Sequence, residues 1–229
     1  MSFLTGTRTP APSVGAAVSA MTVNRSFIWM AIGTLISALV ASTVAGSAEL
    51  TTTVAGAFGP IVIAQLAAAL LFGFLLNRLS PTVLVGLFAG YAALTGLTFG
   101  VIVQAYTESS VTLAFGAAVV AFTGAAIYGA TTRRSLDSIG GILAMALFGI
   151  IGASLLNLLL GSSGLDFLLA LGSVAVFTAL AAYNTQRALD GRLGHAVGAE
   201  RASIAIAFAL YLDLVNLVLA FLRLFGRRR

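Results

Sequence analysis

Asp213 is the only acidic or basic side chain between Ala202 and Leu222, inside the otherwise apolar stretch "ALYLDLVNLVLAFLRLFG". A carboxyl group in such a segment costs about 3 kcal/mol at the centre of a membrane helix, so it must face protein or a cavity and not lipid. Removal from water disfavours its ionised form unless a cation lies near. Two arginines are the candidate cations: Arg78, which closes the second apolar run, and Arg223, further along the same segment. An intramembrane acid of this kind serves an ion pathway, a proton relay or a gate, or it pins helices together as a neutral or ion-paired group.

Other reactive chemistry is thinly represented. "GSSG", from Gly161 to Gly164, has the form of an intramembrane serine-protease loop, but such a serine needs a histidine base. The single histidine, His195, falls in an arginine-rich loop expected on the opposite side of the membrane, so "GSSG" reads as a flexible loop and His195 as a solvated residue. The chain has no cysteine, which excludes a thiolate nucleophile, a disulfide or a cysteine-ligated metal. No glycine-rich phosphate loop or cluster of metal ligands is present, so neither an enzymatic activity nor a cofactor is expected.

The elements that must position Asp213 follow from the composition. Hydrophobic residues make up 59% of the 229 positions, charged residues 8%, and the mean hydropathy is +1.06, values of a membrane protein. Apolar runs bounded by turn and charge signals predict helices at Phe27–Ala45, Ala57–Leu76, Thr82–Gln104, Val111–Ala130, Ile139–Leu160, Asp166–Tyr183 and Ala202–Leu222. Residues 1–25, with Pro10 and Pro12, read as a mobile arm, residues 26–226 as one transmembrane domain, and residues 227–229 as a basic tail. The twelve basic residues are all arginine and are dispersed over loops and tail, a distribution that points to membrane topology and away from nucleic acid.

Arg8 and Arg25 precede the first span, and Arg78, Arg133, Arg134, Arg187, Arg192 and Arg201 occupy alternate connections, whereas the connections with Glu49, Glu108 and Asp166 have no arginine. That alternation predicts a cytoplasmic N-terminus. Arg223, Arg227, Arg228 and Arg229 break it, so the last segment either crosses against the charge rule or re-enters; its length favours crossing. Along it, Ala205, Ala209, Asp213, Asn216, Ala220 and Arg223 form a small and polar stripe expected to point inward, opposite the bulkier Phe208, Leu212, Val215, Leu219 and Leu222. Asp213 lies about 16 Å into the predicted helix, near the bilayer middle. Gly86 with Gly90, Gly96 with Gly100, and Gly149 with Gly152 have the spacing of close helix packing, expected within one monomer.

From Ile61 onward, "IAQL", "LSP", "YAALTGLTFG", "YGATTRRSL", "ASLLNLLL", "AYNTQ" and the closing "LYLDLVNLVLAFLRLFG" resemble, in order, the Bax inhibitor-1/YccA (TMBIM) family, and within it the bacterial YbhL-type branch. The resemblance implies an all-α membrane protein, a seven-transmembrane helix bundle whose last helix is central. It also implies association with pH-sensitive calcium leak, with suppression of cell death in stress responses, or with modulation of a membrane protease. In the family, an aspartate ending the sixth helix shares a proton with one in the seventh and holds a gate closed. Asp213 matches the second; the first position is Asn184.

An amide opposite one carboxyl keeps a hydrogen bond without a second charge, so the pH response is expected to be blunted, shifted or lost. Calcium, which prefers several anionic oxygens, is expected to make only weak, transient contact with Asp213, aided by Asn216 and backbone carbonyls. These residues lead to a cation leak of a bacterial inner membrane, gated by Asp213 with Asn184 and Arg78 as partners. The other readings are an interaction protein that restrains a membrane protease or stress-response complex, and a bundle that has lost conduction.

Overall fold

The computed structural model describes residues 14–227, with side chains from residue 21. Nine helices run through these residues: α1 (Val14–Ala45), α2 (Ala48–Gly56), α3 (Phe58–Leu75), α4 (Pro81–Gln104), α5 (Glu108–Thr131), α6 (Asp137–Leu160), α7 (Ser163–Leu189), α8 (Arg192–Val197) and α9 (Ala199–Phe225). Seven of them, all but α2 and α8, are long and apolar enough to cross a membrane. Short side chains begin several: Ser47, Ser80, Thr107 and Ser162 each accept a bond from the backbone N–H three residues on, and Pro81 occupies the first turn of α4.

Two helices extend beyond the apolar runs. α1 starts at Val14, so residues 14–25, expected in the arm, continue the first helix; Arg8 and the rest of residues 1–13 lie outside the described residues. α7 runs on to Leu189 because polar residues after Tyr183 end the apolar run without breaking a helix, and the chain turns only at Gly191, with φ of 68°. A second left-handed glycine, Gly198 at φ 88°, closes α8 and launches α9. Neither α2 nor α8 carries an apolar span, which is why the hydropathy pattern leaves both as loops.

The helices pack as two layers of three, α3–α4–α1 and α5–α7–α6, with α9 between them. Its most apolar stretch is 61% buried, against 6% for those of α3 and α6. α3 packs mainly on α4 and α6 on α7, so each is an outer helix. The glycine pairs divide accordingly. A Cβ on Gly96 would meet Val40 Cβ at 2.6 Å, and one on Gly100 would meet Val44 Cβ at 2.5 Å, so this pair brings α4 against α1. Gly86, Gly90, Gly149 and Gly152 have nothing within 4 Å and pack against no helix, contrary to expectation. A closer approach with no spacing signal joins α5 to α7, where a Cβ on Gly129 would run into the Ala182 carbonyl.

α9 crosses the whole bundle. Its end is tied to the α4–α5 corner: Thr107 N–H donates to the Arg227 carbonyl at 3.0 Å, and Arg227 N–H donates to Ser110 Oγ at 2.9 Å. Arg223 and Arg227 therefore share the face of the arginine-free connections; Arg228 and Arg229 lie outside the described residues. At its start, Arg201 Nε donates to the Leu79 carbonyl at 2.9 Å and joins α9 to the α3–α4 connection on the other face.

Candidate functional site

α7 and α9 meet through one side-chain hydrogen bond inside the bundle. Asn184 Nδ2 donates to Asp213 Oδ2 at 2.7 Å, and the two residues are 7% and 3% exposed. On α9 the carboxyl is about 21 Å from the helix start, and on α7 the amide is about 8 Å from the helix end. The pair thus lies toward the arginine-bearing face as measured along α7.

The other residues singled out in the sequence are elsewhere. Arg78 is exposed beyond α3, with only its backbone N–H bonded, to Leu75 O at 2.9 Å. Arg223 is 4.0 Å from Asp166 Oδ1 at the opposite face, beside Asn157 and Ser162 in a polar cavity of about 400 Å³. Neither arginine pairs with Asp213, because Arg78 lies beyond the end of α3 and Arg223 in the last turn of α9, and no ion pair reaches the carboxyl among the described residues. Asn216 is half-buried and donates to its own helix, to Leu212 O at 2.8 Å.

The expected inward stripe of α9 is seen only in part. Asp213 and Ala220 are buried and Ala205, Ala209 and Asn216 half-buried, while on the bulkier face Phe208 and Leu222 are buried and Leu212, Val215 and Leu219 half-buried, so neither face is the covered one. Neighbours surround α9 on most sides, and its least covered seam faces the gap where α7 and the α3–α4 pair make almost no contact. Phe72 of α3 borders that gap, stacked on Phe208 with centroids 4.2 Å apart.

On the other side of α9, two residues before Asp213, lies a polar network that the sequence reading overlooked. Tyr211 Oη is 2.6 Å from Ser37 Oγ, which in turn is 2.7 Å from the Ala92 carbonyl. With the serine proton on that carbonyl, Tyr211 is the donor to Ser37. Gln65 Nε2 donates to Thr95 Oγ1 at 3.1 Å and Thr98 Oγ1 at 3.4 Å, and Thr95 Oγ1 donates to Tyr91 O at 3.0 Å. The signal was Gln65, the one polar side chain in "FGPIVIAQLAAALLFGFL". Among the described residues no buried side-chain nitrogen or oxygen lacks a partner.

A third set closes the bundle beneath Asn184. Gln186 Oε1 accepts from Leu136 N–H at 2.7 Å, and its Nε2 donates to Arg134 O at 2.9 Å. Arg192 donates from Nε to Asp190 at 2.9 Å and from Nη2 to both Asp190 and Asp137, and these carboxylates push its pKa further up. "GSSG" is a helix-to-helix turn: Gly161 ends α6, Ser162 caps α7, and Asn157 Oδ1 accepts from Ser162 N–H at 3.1 Å. His195 lies in α8, across the bundle. Among the described residues no three His, Cys, Asp or Glu side chains come together as a metal site.

The profile of the family described as "Inhibitor of apoptosis-promoting Bax1" matches residues 20–229, both halves of the Asn184–Asp213 pair included. This chain belongs to the Bax inhibitor-1 family. Among relatives in this family, the "Inner membrane protein YbhL" of Escherichia coli K12 is 39% identical over 210 residues, covering 88% of this chain and 89% of its own. A protein of Deinococcus radiodurans is 38% identical over 208 residues, or 89% of each chain. One from Borreliella burgdorferi is 35% identical over 206 residues, covering 87% of this chain and 89% of its own. The Bax inhibitor-1 assignment and the seven apolar helices make this an integral membrane protein with an all-α, multi-span fold.

Proposed function

We propose that this Bax inhibitor-1 family member is a non-enzymatic cation leak, with calcium as the permeant ion, and that Asp213 is the group a passing cation meets. The observation that carries the reading is the Asn184–Asp213 bond: a carboxyl held on the central helix, with an amide and not a cation as its partner. A carboxyl satisfied in this way is available to an arriving cation, whereas an arginine partner would compete for it. The Asn184–Asp213 contact represents the closed state. Opening takes α3 away from α9, breaking the Phe72–Phe208 stack beside the seam that carries Asn216. The ion is passed by transient contacts and not held tightly, consistent with a single carboxylate. We place the protein as a monomer in a bacterial inner membrane, N-terminus in the cytoplasm, a reading supported by the arginine alternation and the E. coli relative's name.

Calcium influx into liposomes carrying the full chain tests this, between about pH 5 and 8, with Asp213→Asn beside the unmodified protein. Flux above empty liposomes that Asp213→Asn abolishes or alters supports the leak. Absence of flux in the unmodified protein overturns it and favours the second reading, a partner of a membrane protease or stress complex. The burial of Asp213, with its carboxyl bonded by Asn184, agrees with that second reading, whose signature is a stoichiometric protease co-purified from native membranes.

A further inference from the structure

The last turns of α6, the first turns of α7 and the last turn of α9 enclose the polar cavity of about 400 Å³ that holds Asp166 and Arg223. α6 packs on α7 but makes almost no contact with α9, which leaves the space between them open. Arg223 Nη1 and Asp166 Oδ1 are 4.0 Å apart, too far for a hydrogen bond, and the two side chains are 39% and 41% exposed. A pair this open contributes little by itself. Arg192, by contrast, clasps Asp137 and Asp190 directly.

The groups around the open pair are also unengaged. The hydroxyls of Ser154 and Ser163 and the Nδ2 of Asn157 make no hydrogen bond within the chain among the described residues, whereas every buried side-chain nitrogen and oxygen there is bonded. The cavity meets lipid as well. Leu158 lines it and is 81% exposed, and Leu159 and Leu160 after it are exposed too, so the apolar outer surface of α6 runs to the end of the helix beside the cavity. A polar cavity at the end of such a surface lies at headgroup depth.

Charge selects the occupant. One cation and one anion in the same cavity match a ligand that carries one of each, which neither a simple anion nor a metal ion does. Arginine takes phosphate through parallel N–H bonds, and an ionised carboxyl group accepts from an ammonium. The ammonium is primary, because among the described residues no aromatic ring lines the cavity to hold a quaternary one.

We propose that the α6–α7–α9 cavity binds the zwitterionic headgroup of an ethanolamine phospholipid, with the phosphate on Arg223 and the ammonium on Asp166. The two-carbon bridge of that headgroup lets its charges lie alongside the open pair, so that four charges alternate around a ring. Ser154, Asn157 and Ser163 donate to the phosphate oxygens, and the acyl chains follow the exposed leucines of α6. The site gives Arg223 a partner on its own face of the membrane, away from Asp213.

Native mass spectrometry of the full-length protein, delipidated and then equilibrated with equal amounts of phosphatidylethanolamine, phosphatidylcholine and phosphatidylglycerol of matched chains, tests the site. One phosphatidylethanolamine should be retained in preference to the other two. Asp166→Asn should cut its preference over phosphatidylcholine by about fivefold, the scale of one half-exposed ion pair. Arg223→Gln should weaken retention of both lipids alike, since both carry the phosphate. Equal retention of phosphatidylethanolamine and phosphatidylcholine by the unmodified protein, or preference for phosphatidylglycerol, overturns the headgroup assignment. Displacement of the lipid by an equal concentration of soluble phosphoethanolamine overturns the lipid as the source. An unchanged preference in Asp166→Asn overturns the cavity as the site. Should that variant not fold, Ser163→Trp, at an exposed position of the cavity wall, should exclude the headgroup, and undiminished retention in it overturns the site equally.

Discussion

Asn184 Nδ2 and Asp213 Oδ2, 29 residues apart in sequence, stand 2.7 Å apart in the interior of the bundle. The amide can only donate through its nitrogen and the carboxyl accepts, so the pair is complementary without a shared proton. The direction of that bond sets what each substitution at either residue should do.

Asn184→Asp places two carboxyls where both cannot ionise together, and their protons then leave in two coupled steps. Ion flux in liposomes should become steeply pH-dependent in this variant relative to the unmodified protein. Superimposable pH profiles for the two proteins would remove the pair from any gating role.

Asn184→Ala leaves the Asp213 carboxyl buried without its donor, which costs about 1–3 kcal/mol. Thermal unfolding in detergent should show a lowered midpoint for Asn184→Ala and for Asp213→Leu. In the double variant the loss should fall well short of the sum of the two. Additive losses would mean that the two side chains stabilise the fold separately.

Glycine substitutions should separate tight helix contacts from open ones. Gly129→Ala drives a methyl group into the Ala182 carbonyl and should destabilise the protein by about 1–3 kcal/mol, whereas Gly149→Ala, with nothing within 4 Å, should stay within about 0.5 kcal/mol. Denaturation midpoints of the two variants measured side by side decide this; equal values would contradict the α5–α7 approach.

Arg192 joins α8 to the start of α6 through Asp137 while remaining largely in solvent. Arg192→Ala should therefore raise hydrogen exchange across residues 190–198 and leave the unfolding midpoint almost unchanged, and added salt should have a similar local effect on the unmodified protein. Unchanged exchange in that segment would show that Gly194 and the contacts of α8 with α9 suffice to hold it.

Much of the architecture was legible because burial in lipid imposes a simple rule: long apolar runs must be helical to satisfy their backbone groups. The seven spans follow from that rule applied to local sequence and the inward Asp213 from the cost of a carboxyl against lipid, whereas the central last helix was implied by the family resemblance. The pairing of Asn184 with Asp213 became legible only through the family resemblance, since no periodicity in α7 points to α9.

What local sequence does not contain is which face of an apolar helix meets another helix. Leucine is as well placed against lipid as against protein, so the stripe through Ala205, Ala209 and Asn216 is no better covered than Leu212, Val215 and Leu219 of the opposite face, and Gly149 with Gly152 looked like a packing pair. The positions of Arg78 and Arg223 relative to Asp213 were equally undetermined, because a long cationic side chain near a helix end can reach inward or outward. Sequence by itself determined the class of protein, the spans and the single intramembrane acid, since each depends on the transfer of individual side chains between water and hydrocarbon. Tertiary structure alone decided the Tyr211–Ser37 network, the seam beside Asp213 and the tethered Arg227. Each of these depends on the distances between helices, which are set by side chains far apart in the chain.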